Sequence, residues 1–348
     1  MADVTSIEWC DSTFNPWMGC TRISPACDHC YAEQTTSRFG VVKWGVGQPR
    51  VRTSPTYWRK PLQWNAQPFY SCARCGWRGI ASGPQAACGQ CPEPCLRPAR
   101  RRVFCASLAD VFDGEVDPQW RADLFHLIRS TPNLDWLLLT KRIGNAADMI
   151  QEAMSRLQEP GCMWPMPNVW LGATVVTQAE ADRDIPKLLA VPAAVRFLSI
   201  EPMLGPISFE GMFANPVRLN DGSNALEALD WVICGGESGK HARPTHRDWV
   251  RSLRDQCKQV GVPFLFKQWG EWAPTDMLEG DCNDPNAVMK HIGKKAAGRL
   301  LDGRMHHQFP DPPDHHIPAL TSAQIAKPGA CGQDGRPSAH PHQIRTNP

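Results

Sequence analysis

A chain of 348 residues with 42% hydrophobic side chains can bury a sizeable core, and no apolar run approaches the roughly 20 residues of a membrane span. The net charge of +2 excludes a uniformly basic or acidic protein. Fifteen cysteines on a chain whose first residues lack a basic stretch followed by an apolar one argue against a disulfide scaffold, so metal binding and a cytoplasmic location are expected.

The first informative segment is Gly19-Cys20 followed by Cys27-Asp28-His29-Cys30-Tyr31. Three clustered thiols are one short of a structural zinc set, and an open metal position is what catalytic metal sites keep. Cys27 and Cys30 fall at the expected start of a helix through Ala32, Glu33 and Gln34, where the helix terminus favours thiolates. If the triplet instead holds zinc, Cys10, His29 or Asp28 is the fourth ligand.

Residues 40–102 hold eleven Lys or Arg against the single acid Glu93, hence +10, leaving −8 elsewhere. The run Arg100-Arg101-Arg102 closes this segment. Such asymmetry is expected of a nucleic-acid or nucleotide partner, with thiolates and a neighbouring acidic surface as the bland alternative. Fourteen Trp against three Tyr fit base stacking by Trp9, Trp17, Trp44, Trp58 or Trp64, although core packing is the commoner use.

Within that segment, Cys72-x2-Cys75 and Cys88-x2-Cys91 are separated by twelve residues. Two such knuckles supply four thiolates, so residues 72–95 are expected to be an inserted zinc-ribbon-like knob stapled by structural Zn2+, with Cys95 able to replace Cys91.

From residue 102 onward, six continuous apolar runs at 103–106, 136–139, 169–173, 195–200, 231–234 and 263–266 read as parallel strands buried on both faces. Helical patterns separate them. Asp117 precedes Pro118, Thr177 and Thr245 stand at capping positions before Glu180 and Asp248, and Gly261 suits a helix C-terminus. The fold class over residues 1–309 is α/β, either a barrel or an open wound sheet. Residues 310–348 are Pro/Gly-rich without periodicity and are expected to be a disordered tail.

Each apolar run stops at a polar cluster: Ser107 with Asp110, then Thr140-Lys141-Arg142, Thr174, Glu201-Pro202, Gly235-Gly236-Glu237-Ser238 and Lys267-Gln268. In a β/α barrel such ends build one polar mouth. Gly235 and Gly236 would let backbone approach a ligand, and Glu237 would accept from an ammonium or hydroxyl; a plain turn is the alternative.

The cysteine triplet resembles the cluster loop of radical S-adenosylmethionine enzymes, with a first gap of six residues where that family has three. Ile7-Glu8-Trp9, Thr13-Phe14-Asn15-Pro16-Trp17, Leu138-Leu139-Thr140-Lys141-Arg142, Ser199-Ile200-Glu201-Pro202 and Phe266-Lys267-Gln268-Trp269-Gly270 resemble a phage- and prophage-borne three-cysteine family of unknown function. The resemblance covers about residues 5–309. It implies a radical-SAM-like, partial β/α barrel over residues 1–309 with a [4Fe-4S] cluster on Cys20, Cys27 and Cys30, S-adenosylmethionine on its open iron, a reductant, and 5′-deoxyadenosyl radical chemistry. Lys141, Arg142, Glu201, Glu237 and Lys267 would bind polar groups of cofactor and substrate, with Thr174, Ser199, Gly235 and Gly236 beside the cofactor. Two other classes compete: a zinc-stabilised nucleic-acid-binding protein, and a nuclease-like hydrolase with a divalent metal on Asp110, Glu201 and Glu237.

Overall fold

Parallel strands buried on both faces need helices on one side and a filled interior on the other. The computed structural model describes residues 4–38, 40, 42–91, 95–157, 164–209, 228–275 and 288–311. The segment expected to be a disordered tail lies outside these from residue 312 on. Seven strands form one sheet in chain order: β1 (Ser12–Thr13), β2 (Arg101–Cys105), β3 (Leu134–Thr140), β4 (Val169–Thr174), β5 (Val195–Ile200), β6 (Trp231–Cys234) and β7 (Phe264–Phe266). Every neighbouring pair is parallel, and the sheet curls into a half-barrel. Helix α1 (Tyr31–Arg38) follows the cysteine loop; α2 (Pro118–Arg129), α3 (Ile143–Leu157), α4 (Gln178–Ala190) and α5 (Arg247–Val260) are crossovers. None of the described helices is long and apolar enough to cross a membrane.

The six apolar runs become β2 to β7 with shifts of a residue or two. The seventh strand, β1, was not expected. Its two residues are polar and carry no apolar run; pairing with Val103 and Phe104 makes them a strand. Asp11 guides this docking, because its carboxylate accepts from the Arg102 amide at 2.8 Å.

Alternation divides the sheet. Val103, Leu138, Leu171, Leu198, Val232 and Phe266 belong to the large core beneath the helices. Phe104, Leu137, Trp170, Phe197, Trp231 and Leu265 form a second cluster, plugged by Trp9. Trp9 packs tilted against Phe104 with ring centres 4.5 Å apart, and Trp170 meets Trp231 edge-on at 6.1 Å. Gly172 leaves room for this plug, since a Cβ there would lie 2.3 Å from the Phe197 ring.

The caps largely follow local chemistry. Asp117 accepts from the Gln119 amide at 2.8 Å with Pro118 in the first turn. Thr177 accepts from the Glu180 amide, while the Glu180 carboxylate reaches back to the Val176 amide. Gly261 ends α5 at φ +77°, a conformation few other residues tolerate. Thr245 is a correction: His246 caps α5, because the buried Thr245 hydroxyl donates instead to the Met203 carbonyl at 3.0 Å.

The expected cysteine-rich insertion is a three-stranded antiparallel sheet of Phe69–Cys72, Arg78–Ile80 and Leu96–Pro98, with the first of these in the middle. Arg78 fastens it to the barrel by donating to both Asp11 oxygens and to the Arg100 carbonyl.

Gly172→Ala should lower the thermal midpoint by overpacking the plug, at a cost of about 1–3 kcal/mol. Ala ordinarily suits a strand better than Gly, so a loss is diagnostic. Trimming the ring with Phe197→Leu in the Gly172→Ala background should recover part of it in a thermal melt.

Candidate active site and metal centres

At the C-terminal ends of the strands lies a cavity of about 510 Å3. Cys20, Cys27 and Cys30 line it together with Lys141, Arg142, Thr174, Ser199, Glu201, Gly236, Glu237 and Lys267. Gly235 is the expected site residue that does not reach the lining; a Cβ there would meet Glu201 and Lys267 at 3.4 Å each. Gly236 serves close backbone crossing, since its Cβ would lie 1.9 Å from the Trp269 carbonyl oxygen. Gly236 therefore makes room for the protein's own chain while still lining the cavity.

The cysteine loop is held from two sides. Cys27 ends a single turn of 3-10 helix, Pro25–Cys27, which Ser24 caps by accepting from the Ala26 amide. Cys30 precedes α1, whose Tyr31 hydroxyl donates to the Ser107 carbonyl at 2.7 Å. On one side, Arg142 beyond β3 donates to the Cys20 sulfur at 3.1 Å and to the Thr21 carbonyl at 2.6 Å. Asp110 orients it, lying 3.4 Å from the same guanidinium and accepting from the Thr140 hydroxyl and the Lys141 amide. Buried Arg50, paired with Asp113 at 2.8 Å, donates to the Thr21 hydroxyl.

On the other side stands Arg243, in the loop after β6. It donates to Glu237 through its amide, Nε and Nη2, and to Asp28 and the Pro25 carbonyl at 2.9 Å each. The His29 ring nitrogen stands 3.1 Å from the same Glu237 carboxylate. Burial alone would raise the Glu237 pKa, but the Arg243 donors hold it below the usual glutamate range. Glu237, expected to receive polar groups of a ligand, lines the cavity and also tethers the cysteine loop. Arg243 escaped sequence reasoning; the only hint was a pair of unpartnered acids, Asp28 and Glu237, far apart in sequence.

Burial pushes the Cys20 thiol up to about 12 and Asp110 adds to this, while Arg142 opposes both. Loading a metal there must displace a tightly held proton. Among the described residues, the one group of three or more His, Cys, Asp or Glu ligand atoms within 4.8 Å of one another lies in the knob. The triplet is thus spread more widely than the ligands of a single ion. Thiolates on an iron–sulfur cluster bind different iron atoms, so this donor set suits a cluster better than one zinc ion. The three suggested fourth ligands are also engaged elsewhere: Asp28 with Arg243, His29 with Glu237, and Cys10 in the apolar plug.

Around the rim, Lys267 pairs with Glu201 at 2.7 Å. Burial pulls the Lys267 pKa down, but the Glu201 carboxylate outweighs this and keeps the ammonium charged. Lys141 lines the cavity with no ion-pair partner among the described residues. Asp110, Glu201 and Glu237 are each held by a different cation and do not converge as a metal site.

In the knob, the Sγ atoms of Cys72 and Cys91 are 3.8 Å apart, those of Cys75 and Cys88 3.7 Å, and those of Cys72 and Cys95 2.9 Å. The group mutually within 4.8 Å is Cys72, Cys88, Cys91 and Cys95, a cluster able to bind a metal. Cys95 joins where Cys75 was expected because strand pairing sets its neighbour Leu96 opposite Cys72.

Part of the basic segment's charge is met by acids elsewhere in the fold. Arg50, Arg52, Arg78 and Arg100 pair with Asp113, Asp123, Asp11 and Asp135. Arg101 lies 5.0 Å from the Phe69 ring centre and Arg102 3.8 Å from that of Phe309, where burial lowers the Arg102 pKa to about 9. Lys43, Arg59, Arg74 and Arg97 remain exposed. Trp9, Trp17 and Trp64 are core residues, and Arg52 stacks on Trp58 at 4.5 Å.

Glu237→Gln should loosen the cysteine loop, with faster amide hydrogen exchange over residues 25–30. A carboxylate whose folded pKa is depressed stabilises above its unfolded pKa, and that stability is lost as pH falls through the folded value. Loop protection in the parent protein should therefore fall on acidification below the usual glutamate range, and the variant should lack that part of the pH dependence.

Comparison with known proteins finds no match among curated proteins and none among solved structures. Residues 4–310 match the family described as "Protein of unknown function (DUF5131)", so the chain belongs to that uncharacterised family.

Proposed function

We propose that the cavity is the active site of an iron–sulfur enzyme of the radical-SAM-like class, with a [4Fe-4S] cluster on Cys20, Cys27 and Cys30. The observation that carries this reading is the meeting of all three thiols with the polar strand ends on the wall of one cavity. Such a cluster, with S-adenosylmethionine on the iron that lacks a protein thiolate, supplies one-electron cleavage of a carbon–sulfur bond and hence hydrogen abstraction from an unreactive carbon.

The chain's own residues have separable tasks in this reading. Arg142 places positive charge against the Cys20 sulfur and fixes its direction. The Arg243–Glu237 tether sets where Cys27 and Cys30 stand. Lys141 offers an unpaired ammonium to a carboxylate or phosphate. The Glu201–Lys267 pair and the hydroxyls of Thr174 and Ser199 present donors and acceptors to a polar ligand. Below them, Trp9 and Phe104 close the floor and keep water from the reacting carbon. A nucleotide substrate fits Lys141 and the aromatic floor, with the exposed Lys43, Arg59 and Arg97 available to a longer nucleic acid.

Anaerobic purification with metal analysis and electron paramagnetic resonance tests this. The expected result is about four iron atoms per chain and a reduced spectrum that changes on adding S-adenosylmethionine. Cys20→Ala, Cys27→Ala and Cys30→Ala should each abolish the iron while leaving zinc in the knob. Two zinc ions with iron far below one atom per chain would overturn the reading in favour of a zinc-stabilised nucleic-acid-binding protein. A spectrum indifferent to S-adenosylmethionine would remove that cofactor while keeping the cluster.

A further inference from the structure

The knob brings five thiols to a site that has room for four ligands. A tetrahedral zinc site has Zn–S bonds of about 2.3 Å, so its ligand sulfurs stand about 3.8 Å apart. Two pairs show this spacing, Cys72 with Cys91 at 3.8 Å and Cys75 with Cys88 at 3.7 Å. By that measure the ligands are Cys72, Cys75, Cys88 and Cys91. By mutual proximity they are Cys72, Cys88, Cys91 and Cys95.

Three thiols belong to both sets. The Cys75 sulfur stands 3.7 Å from that of Cys88, and the Cys95 sulfur 2.9 Å from that of Cys72. The two contenders arrive on separate pieces of backbone. Cys75 sits on the knuckle turn, where its amide donates to the Cys72 sulfur and Gly76 bends the chain at φ +73°. Cys95 is delivered by the strand Leu96–Pro98, and its carbonyl accepts from the Ala73 amide at 3.3 Å. Neither element has to move for the other to hold its thiol in place.

We propose that the knob holds one zinc-class cation on a fixed base of Cys72, Cys88 and Cys91, with the fourth position exchanged between Cys75 and Cys95. Sulfur donors of this kind select a thiophilic ion, and loading releases the thiol protons. One thiol always remains unbound beside the metal.

The test uses the full reduced chain loaded with zinc alone. Cys75→Ala and Cys95→Ala should each keep one zinc in the knob with affinity weakened less than about tenfold. The double variant, and each of Cys72→Ala, Cys88→Ala and Cys91→Ala, should weaken it at least about 100-fold, beyond the loss of an outer-shell partner. Loss of zinc from either single variant of the contending pair would show a fixed ligand and overturn the exchange. Retention by the double variant would exclude both. Where a variant does not fold, iodoacetamide labelling of the zinc-loaded parent decides. About one label per knob, divided between the Cys75 and Cys95 peptides, is expected; label on one of them alone, on both in full, or on neither overturns the proposal.

Discussion

Two arginine tethers hold the cysteine loop over the mouth of the half-barrel, and the site depends on them. The loop has one short turn of its own and no strand that would order three sulfurs. Arg142 reaches it from the end of β3, and Arg243 from beyond β6, on the other side of the sheet. Each guanidinium joins loop carbonyls to an acid of the barrel, Asp110 in one case and Glu237 in the other. Glu237 and Asp110 are nearly buried, so either acid left without its arginine would be an uncompensated charge in a poor solvent. Each arginine, already paired with its acid, has donors left over for the loop, and these fix where the loop docks.

The half-barrel prepares the ground for this by dividing each strand along its length. Alternate residues face inward, and the early inward positions are aromatic or aliphatic while the last ones are polar. On β4 the series is Trp170, Gly172, Thr174; on β5 it is Phe197, Ser199 and then Glu201 just beyond the strand. The lower interior fills itself with rings, and Gly172 makes the space for Phe197. What remains above the plug is a cavity with an apolar floor and a charged rim. Charges there meet across the mouth, as Lys267 and Glu201 do, where partial desolvation strengthens the pair.

Charge counted along the chain proved a poor guide to surface charge. The basic stretch reads as an electrostatic footprint, yet seven of its eleven cations take ion-pair or ring partners in the fold. Arg100, Arg101 and Arg102 look like a basic run, but strand alternation sends neighbours to different faces. Arg100 meets Asp135, Arg101 covers Phe69, and Arg102 enters the barrel interior against Phe309. Counting tryptophans was similarly ambiguous, and burial assigned Trp9, Trp17 and Trp64 to the core.

The sequence by itself determined the strand–helix alternation, because parallel strands covered on both faces need unbroken apolar runs and helices announce themselves through caps such as Asp117 and Gly261. It also determined that polar strand ends would share one mouth, since parallel strands in sequence order bring like ends together. It showed two cysteine sets through their spacing. Only the tertiary structure decided that Thr245 yields its cap to His246, that Ser12 and Thr13 make a strand, and that Cys95 joins the knob's cluster. It alone showed that Glu237 tethers the cysteine loop, and found Arg243. The physical reason is common to these cases. A hydroxyl, a carboxylate or a thiol bonds to whichever partner the fold brings within about 3–4 Å, and such partners lie up to 215 residues away, as Asp28 and Arg243 do.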